Sequence, residues 1–480
     1  MKAVLLFLAV LIISAGGQPV FSADLRQGES REPVRLSRDE AVERAIKNNL
    51  SLESARAASQ TRKRASDLSW NQFVPNVTVS GSFMMDNERS TISGLAPVTT
   101  LPLNPHLGLP QGTPDIYGVV PFSADAPRWR IAAPIQASLT LNLAMFENMN
   151  RLKLDYQGGL IGYDKAKLQL ERDVLKAYNN MLLLQENFNL MNESLLAARR
   201  RVEMAEANFR VGLAPELVLL QAQVAMENMR PLIDQVENGM RLSMAQVAMF
   251  LGMPYDTPFE LEPIPTEAAF IPFDIQELIS QAASFRPDIQ ELRHNILILQ
   301  SARKAQSQSL LPALTMSWNT TPVFMRDPAG DGWMNRKDGA FTISLGLRLH
   351  SLLPFSTDSQ AVRNLDDQVR IANIGLAQMI QGTEIEIYNT VLSLERTQST
   401  AQALAQTVDL AERSYRLTEQ AYRSGLQDLL QVQNAELELR QARVSMLEQH
   451  FNYLNGLIDL EYAIGVPFGT LSSGTPGSRN

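Results

Sequence analysis

The sequence predicts an exported α+β protein made of two tandem copies of one unit, in which paired one-sided strands alternate with very long amphipathic helices. Three observations carry that expectation. Marker segments recur at constant shifts, the hydrophobic period changes from two to seven within each copy, and the chain opens on a leader-like run. Composition narrows the function. The 480 residues contain no Cys and four His, at 106, 294, 350 and 450, no two at metal-ligand spacing. No disulfide framework, Cys-ligated zinc, iron–sulfur cluster, thiol nucleophile or diacylglyceryl-cysteine anchor is therefore expected from this sequence, and no metal or cofactor. A formal charge of −8 argues against a nucleic-acid partner, because phosphate binding needs a basic field. A mean hydropathy of −0.12 with 7% aromatic residues is lean for large packed cores and natural for long amphipathic elements.

The first element is Met1-Lys2, then the apolar run from Ala3 to Ala15, then small and breaker residues to Ala23. This layout predicts a signal peptide over 1–22, followed by an N-terminal segment, 23–35. A membrane-spanning helix is the rival reading, but thirteen residues at 1.5 Å each span about 20 Å, short of a ~30 Å hydrocarbon core. No later stretch reaches 18 uninterrupted apolar residues. If the mature chain crosses a membrane, it does so as strands.

Two halves repeat. Ala45 to Val77 matches Ala282 to Leu314 at a shift of 237, and Ala207-Asn208-Phe209-Arg210-Val211-Gly212-Leu213 matches Gln420-Ala421-Tyr422-Arg423-Ser424-Gly425-Leu426 at 213. The second shift also carries Leu251-Gly252-Met253-Pro254 onto Ile464-Gly465-Val466-Pro467. The repeats are expected at 36–254 and 273–467, joined by a Pro-rich linker over 255–272, with a flexible tail at 468–480. The difference between the shifts places an insertion in the first half, mostly in Asp86 to Pro134. Eight prolines between Pro97 and Pro134 predict an extended loop there.

Within each repeat a helical pattern comes first, Leu36 to Phe73 and Asp274 to Leu310, with Ser37 and Glu40 placed as a capping box. Strand alternation follows: Val77, Val79, Gly81, Phe83 and Met85; Ala137, Leu139, Leu141, Leu143 and Met145; Leu314, Met316 and Trp318; Phe341, Ile343, Leu345, Leu347 and Leu349. The intervening positions are Thr, Ser, Asn, Gln, Gly and Arg348. On that pattern alone an ordinary half-buried sheet serves as well as a membrane barrel.

The segments Asn148 to Arg210 and Asp358 to Arg423 then run over 60 residues with scarcely a helix breaker. Val174, Met181, Phe188, Leu195, Val202 and Phe209 fall at sevens, as do Ile380, Ile387, Leu394, Ala401, Val408, Tyr415 and Tyr422. A stripe at sevens stays on one face only when helices supercoil around neighbours. Gly212 and Gly425 supply turns, and return helices run from Pro215 to Leu251 and from Leu426 to Ile464, with a kink expected at Pro231. Four strands per chain cannot close on themselves, and a sheet in lipid tolerates no open edge, so a membranous sheet requires several copies to share one barrel. The apolar sets would then face lipid. Trp129 and Trp333, just outside the second strand of each hairpin, would suit an interfacial belt.

From Leu36 to Pro467 the arrangement resembles the TolC-type outer-membrane efflux family. The resemblance rests on Leu36-Ser37-Arg38-Asp39-Glu40-Ala41 leading to Ala45 and Asn49, on Pro75 and Pro312, and on Tyr422-Arg423-Ser424-Gly425-Leu426 with Val432-Gln433-Asn434-Ala435-Glu436. It implies a homotrimer: a 12-stranded β-barrel in the outer membrane, continued into the periplasm by a coiled-coil barrel of helices. It further implies a passive exit duct recruited by a periplasmic adaptor and an inner-membrane pump or type I secretion transporter. The turns Gly212-Leu213 and Gly425-Leu426 become the periplasmic tips that meet the adaptor. Relatives carry aspartates six and nine residues after the second turn glycine, but Gln431 and Asn434 stand here, and Val218 is the sixth after Gly212. Glu216 and Asp428 could supply charge to that entrance instead, and Tyr422 matches a constriction tyrosine while also fitting an aromatic heptad position.

The remaining features are weaker. Met226, Met229, Met240, Met244 and Met249 share a helical 3-4 pattern and read as core rather than a soft-metal path. Arg199-Arg200-Arg201 reads as a solvated helix face. No G-x-S-x-G, P-loop, G-x-G-x-x-G or H-E-x-x-H occurs, so an enzyme is not expected. A soluble periplasmic coiled-coil adaptor or scaffold is the alternative to the duct.

Overall fold

The computed structural model describes residues 34–85, 91–98, 118–125, 129–263, 272–326 and 333–471. The expected signal peptide, nearly all of segment 23–35 and the end of the tail lie outside the described residues.

Strand β1 (Val34–Leu36) precedes helices α1 (Arg38–Asn48) and α2 (Leu50–Asp67). Ser37 and Glu40 form the expected capping box. The expected single helix from Leu36 is corrected in two ways. Leu36 ends a strand, and the helix divides at Asn49, whose extended backbone lets its side chain accept from the N–H groups of Ser51 and Leu52 and cap α2. In the second half α6 (Ile275–Phe285) and α7 (Pro287–Gln308) divide at Arg286, which Pro287 excludes from helical conformation.

Between these come β2 (Asn76–Val79), β3 (Ser82–Met85), β4 (Thr91–Val98), β5 (Gly118–Asp125), β6 (Trp129–Ala132) and β7 (Ile135–Leu141). The insertion expected as a loop is thus partly sheet: β4 pairs antiparallel with β5, and β3 with β6. The expected strand from Val77 to Met85 is broken at Ser80-Gly81. Its partner ends at Leu141, so Leu143 and Met145 leave the strand: the long helix α3 (Ala144–Arg210) begins there, where Asn142 accepts from the Met145 N–H. Likewise β9 (Ala313–Arg326) pairs with β10 (Trp333–Gly346), and Leu347 and Leu349 lie beyond the strand end, Leu349 opening a 3-10 turn. Trp129 and Trp333 are first residues of strands rather than outside them; Trp129 stacks at 5.2 Å on Phe83.

Helices α3 and α8 (Thr357–Arg423) have 67 residues each, about 100 Å at 1.5 Å per residue. Their return partners differ. The first is split into α4 (Glu216–Glu227) and α5 (Met229–Phe250), whereas α9 (Leu429–Ile464) is continuous. The break at Asn228 lies next to Pro231, which cannot donate to the turn before it, and realises the expected kink.

Two cores hold the middle of the rod. One packs Leu36, Ala41, Val174, Tyr178, Val247 and Leu251 around a two-stranded parallel sheet of β1 and β8 (Phe259–Leu261). This pairing draws the linker back against the N-terminal segment, and its three-residue strands are too short to show a period in sequence. The other packs Leu278, Ala282, Ile387, Val391, Leu457 and Leu460. Glu461, 1% exposed, accepts from the N–H groups of Gly469 and Leu471 and fixes the chain where it leaves α9.

Candidate functional site

Two surfaces stand out, the sheet at one end of the long helices and the turns at the other. In the sheet, register sorts side chains by polarity. Val77, Ala137, Trp318 and Phe341 form one cross-strand row, Leu139, Met316 and Ile343 another, and Leu141, Leu314 and Leu345 a third. The alternate rows are Asn76, Ser138, Ser317 and Thr342, and Thr140, Thr315 and Ser344, with the Thr140 and Thr315 hydroxyls 3.4 Å apart. A slip of one residue between these strands would exchange the faces and set apolar against polar. Among the described residues nothing covers the ends of the apolar rows: Val79 is 68% and Leu345 73% exposed. The β2/β3 line and β10 are left as open edges among the described residues.

At the far end the chain turns at Gly212 and Gly425, with φ of +75° and +74°. In each turn the glycine and the following leucine donate back to the helix: Gly212 to Phe209 and Leu213 to Asn208, Gly425 to Tyr422 and Leu426 to Ala421. Such paired bonds satisfy carbonyls at a helix end and require a left-handed residue, hence glycine. Leu213 and Leu426 project outward, each 79% exposed.

The predicted entrance residues are only partly brought together. Tyr422 packs half-buried with Val202, Val218 and Leu219 against the cluster of Ala205, Ala222 and Leu429, so the two tips lie side by side. Val218 and Tyr422 thus share one apolar cluster. Burial pushes the Tyr422 phenol above its ordinary range. Asp428 is spent on capping α9, accepting from the Gln431 N–H at 2.9 Å. Glu216, Gln431 and Asn434 are exposed, and their side chains make no hydrogen bond among the described residues.

Sequence reasoning missed the strongest polar contact near the tips. Arg201, expected on a solvated face with Arg199 and Arg200, is 7% exposed and ion-paired with Glu436 of α9, beside Tyr415 of α8. Burial raises the Glu436 carboxyl and Arg201 opposes that rise. The stripe Ala198, Arg201, Ala205, all buried and three to four residues apart, is the sequence signal of this second contact face on α3. Further up, α3 and α9 are joined by Lys176–Asp459 at 2.8 Å, Asn179–Asn455 at 2.9 Å and Gln169–Tyr462 at 3.1 Å. Among the described residues no cluster of His, Asp and Glu could hold a metal. No described helix is long and apolar enough to cross a membrane.

A family model for "outer membrane efflux protein" matches residues 136–253 and 278–466. The chain belongs to the outer membrane efflux protein family. It is 21% identical over 347 residues to nodulation protein T of Rhizobium leguminosarum bv. viciae, covering 71% of this chain and 70% of that protein. Its fold is similar to that of the outer membrane protein VceC from Vibrio cholerae, with a TM-score of 0.66 at 15% identity over 90% of this chain and 96% of that one. It is likewise similar to the CmeC outer membrane channel of Campylobacter jejuni, with a TM-score of 0.64 at 16% identity over 89% and 85%. Membership in this efflux family is of a channel type rather than an enzymatic one, and its TolC-like fold accounts for one chain carrying both an exposed amphipathic sheet and a rod of helices.

Proposed function

We propose that three copies of this chain close one 12-stranded β-barrel in the outer membrane and continue it as a periplasmic helical tunnel. This homotrimer is a passive exit duct for solutes or proteins delivered by an inner-membrane transporter through a periplasmic adaptor, in a tripartite pump or type I secretion system. The observation that carries the reading is the like-with-like register of the sheet combined with its two open edges. An edge left unpaired in lipid costs several kcal/mol per backbone group, so β10 of one copy is expected to pair with β2 of the next until the ring closes. The apolar rows then face lipid, and the Ser, Thr, Asn and Gln rows, with Arg348, line the lumen.

A tandem duplication over 36–254 and 273–467 is the origin we assign to the chain, supported by two family matches that fall one in each half and by two helices of equal length. Gly212, Leu213, Gly425 and Leu426 are the adaptor-facing tips. Tyr422, with Glu216, Asp428, Gln431 and Asn434, forms the entrance constriction. Because Val218, Gln431 and Asn434 are uncharged, that entrance relies on apolar packing and on the Arg201–Glu436 pair rather than on a ring of carboxylates. A soluble adaptor would have no use for an exposed, one-sided sheet with open edges. Purified protein added to a planar bilayer is expected to give long-lived single-channel currents as a detergent-resistant trimer; a soluble monomer without conductance would overturn the reading.

A further inference from the structure

Inside the chain the two halves meet where α3 of the first runs antiparallel along α7 of the second. Glu147 meets Ser301, Leu154 meets His294, and Lys165 meets Asp288 and Glu291. Gly158 leaves room for the His294 ring: a Cβ there would lie 3.1 Å from His294 Cδ2 and 3.7 Å from Ile298 Cδ1. The equivalents of these two helices are α8, at the shift of 213, and α2, at the shift of 237. The equivalence reaches beyond the marker segments, since Val174 and Ile387, Met181 and Leu394, and Leu52 and Ile289 are all buried.

Carrying the contact over by these shifts sets α8 of one copy against α2 of another, and the residues change on both sides together. Lys165 becomes Gln378, while Asp288 and Glu291 become Ser51 and Ser54. A cation between two carboxylates is replaced by three neutral hydrogen-bonding groups; a change on one side alone would leave charge at the contact without its partner. Gly158 becomes Ile371, while His294 and Ile298 become Ala57 and Thr61. Here the small and the large side chains change places, and the volume between the helices is nearly kept.

The sheet carries over in the same way. Val77 and Leu314 are equivalent, and they pair with Ala137 and Leu345. The observed pairs Ala137–Trp318, Leu139–Met316 and Leu141–Leu314 then become Leu345 opposite Gly81, Leu347 opposite Val79 and Leu349 opposite Val77 of another copy. No pair sets apolar against polar, and the alternation that runs on past Gly346 acquires partners.

We propose that adjoining copies of this chain meet through this transferred contact. Ile371 of one copy packs on Ala57 and Thr61 of the next, Gln378 hydrogen-bonds Ser51 and Ser54, and β10 joins β2 with Leu347 opposite Val79. The contact rests on the shared-barrel and duplication readings above and adds the partner of each residue, selected by matched changes of charge and of volume.

The chain has no cysteine, so an introduced pair reports alone. Ala57→Cys with Ile371→Cys, in the full chain in its membrane and oxidised with copper–phenanthroline, is expected to give disulfide-linked dimers and trimers on a non-reducing gel. Such a bond forms only where Cα atoms approach within about 7 Å. Either substitution alone should give monomer, and so should Ala57→Cys with Gln360→Cys, about 16 Å further along α8. Val79→Cys with Leu347→Cys tests the sheet likewise. Without cysteines, Ser51→Glu, Ser54→Glu and Gln378→Glu crowd three carboxylates and should at least halve the fraction surviving as trimer in cold dodecyl sulfate. Ser51→Asp, Ser54→Glu and Gln378→Lys copy the internal triad and should restore it. A trimer that gives no ladder with the Ala57 pair, or that survives the three carboxylates unchanged, would overturn the helix contact and leave the barrel standing. No ladder with the Val79 pair would overturn the strand register. Absence of any trimer from the parent chain would overturn the barrel reading itself.

Discussion

The carbonyl oxygen of Asn48 fills the space where a side chain on Gly252 would begin: a Cβ there would lie 2.4 Å from it. Gly465 stands in the same relation to Phe285, whose carbonyl group would lie 2.6 Å from its Cβ. Both glycines are left-handed, with φ of +66° and +74°. Gly252→Ala and Gly465→Ala therefore combine a left-handed penalty of about 1 kcal/mol with displacement of a helix end, and each is expected to cost about 2–4 kcal/mol. At the tips nothing lies within 4 Å of a Cβ on Gly212 or Gly425, so their alanine variants should lose only about 1 kcal/mol. Thermal midpoints of the four variants decide this, and equal losses at all four would refute it.

Removing one member of the Arg201–Glu436 pair leaves the other charge buried without a partner. Arg201→Met is expected to destabilise by about 3–5 kcal/mol, while Arg201→Met with Glu436→Leu should recover most of the loss, because two apolar residues need no compensation. Denaturant midpoints of the two single variants and the double complete the cycle. Strict additivity would show that the pair does not couple α3 to α9.

Tyr178 links the N-terminal strand to the linker: its hydroxyl is shared between the carbonyls of Leu36 and Glu262, at 3.0 and 2.8 Å. Burial pushes that phenol up to about 12. Tyr178→Phe should cost about 1–2 kcal/mol and raise amide exchange in β1 and β8 ahead of the long helices. Unchanged exchange there would remove the tyrosine from this role.

Lys165 sits between Asp288 and Glu291 at 2.8 and 2.9 Å. Burial works to lower its pKa, but hydrogen bonds and charge from the two carboxylates outweigh it, and the net direction is upward from 10.5. A lysine held more basic in the folded state stabilises fully below its unfolded pKa and loses that contribution as pH rises through the folded value. Stability should therefore fall on the alkaline side of 10.5, and Lys165→Met should flatten that limb relative to the parent. Melting curves at stepped alkaline pH check the difference, which would vanish if the lysine were not engaged.

Exposed leucines at a helix turn have no structural reason to stay apolar. Leu213→Asp with Leu426→Asp is expected to leave folding and single-channel conductance near those of the parent, and to abolish crosslinking to a periplasmic adaptor. Intact crosslinking would move the adaptor contact away from the tips.

Periodicity made the long elements legible. Sevens over α3 and α8, alternation in the four strand rows, the capping box at Ser37, the turn glycines and the kink at Pro231 are local patterns, and local backbone geometry follows from them. The boundaries were less legible. The chain leaves the sheet at Leu141 and Gly346 although Leu143, Met145, Leu347 and Leu349 continue the alternation, because where helix replaces strand depends on pairing and capping partners that period alone does not encode. The insertion's strands, the break at Asn49 and the β1–β8 pairing likewise rest on contacts between segments far apart in sequence.

What the sequence determined by itself was the kind and order of the long elements, since those were written in spacings of two and seven. What only the tertiary structure decided was which faces meet. Arg201 became a buried partner of Glu436 rather than a solvated charge because α3 presents two contact stripes, one to its own return helix and one to α9, and a period identifies a stripe without naming its partner. The same limit applied to register, where the alternation fixed two faces on each strand and only the hydrogen-bonded pairing lined Val77, Ala137, Trp318 and Phe341 into one row.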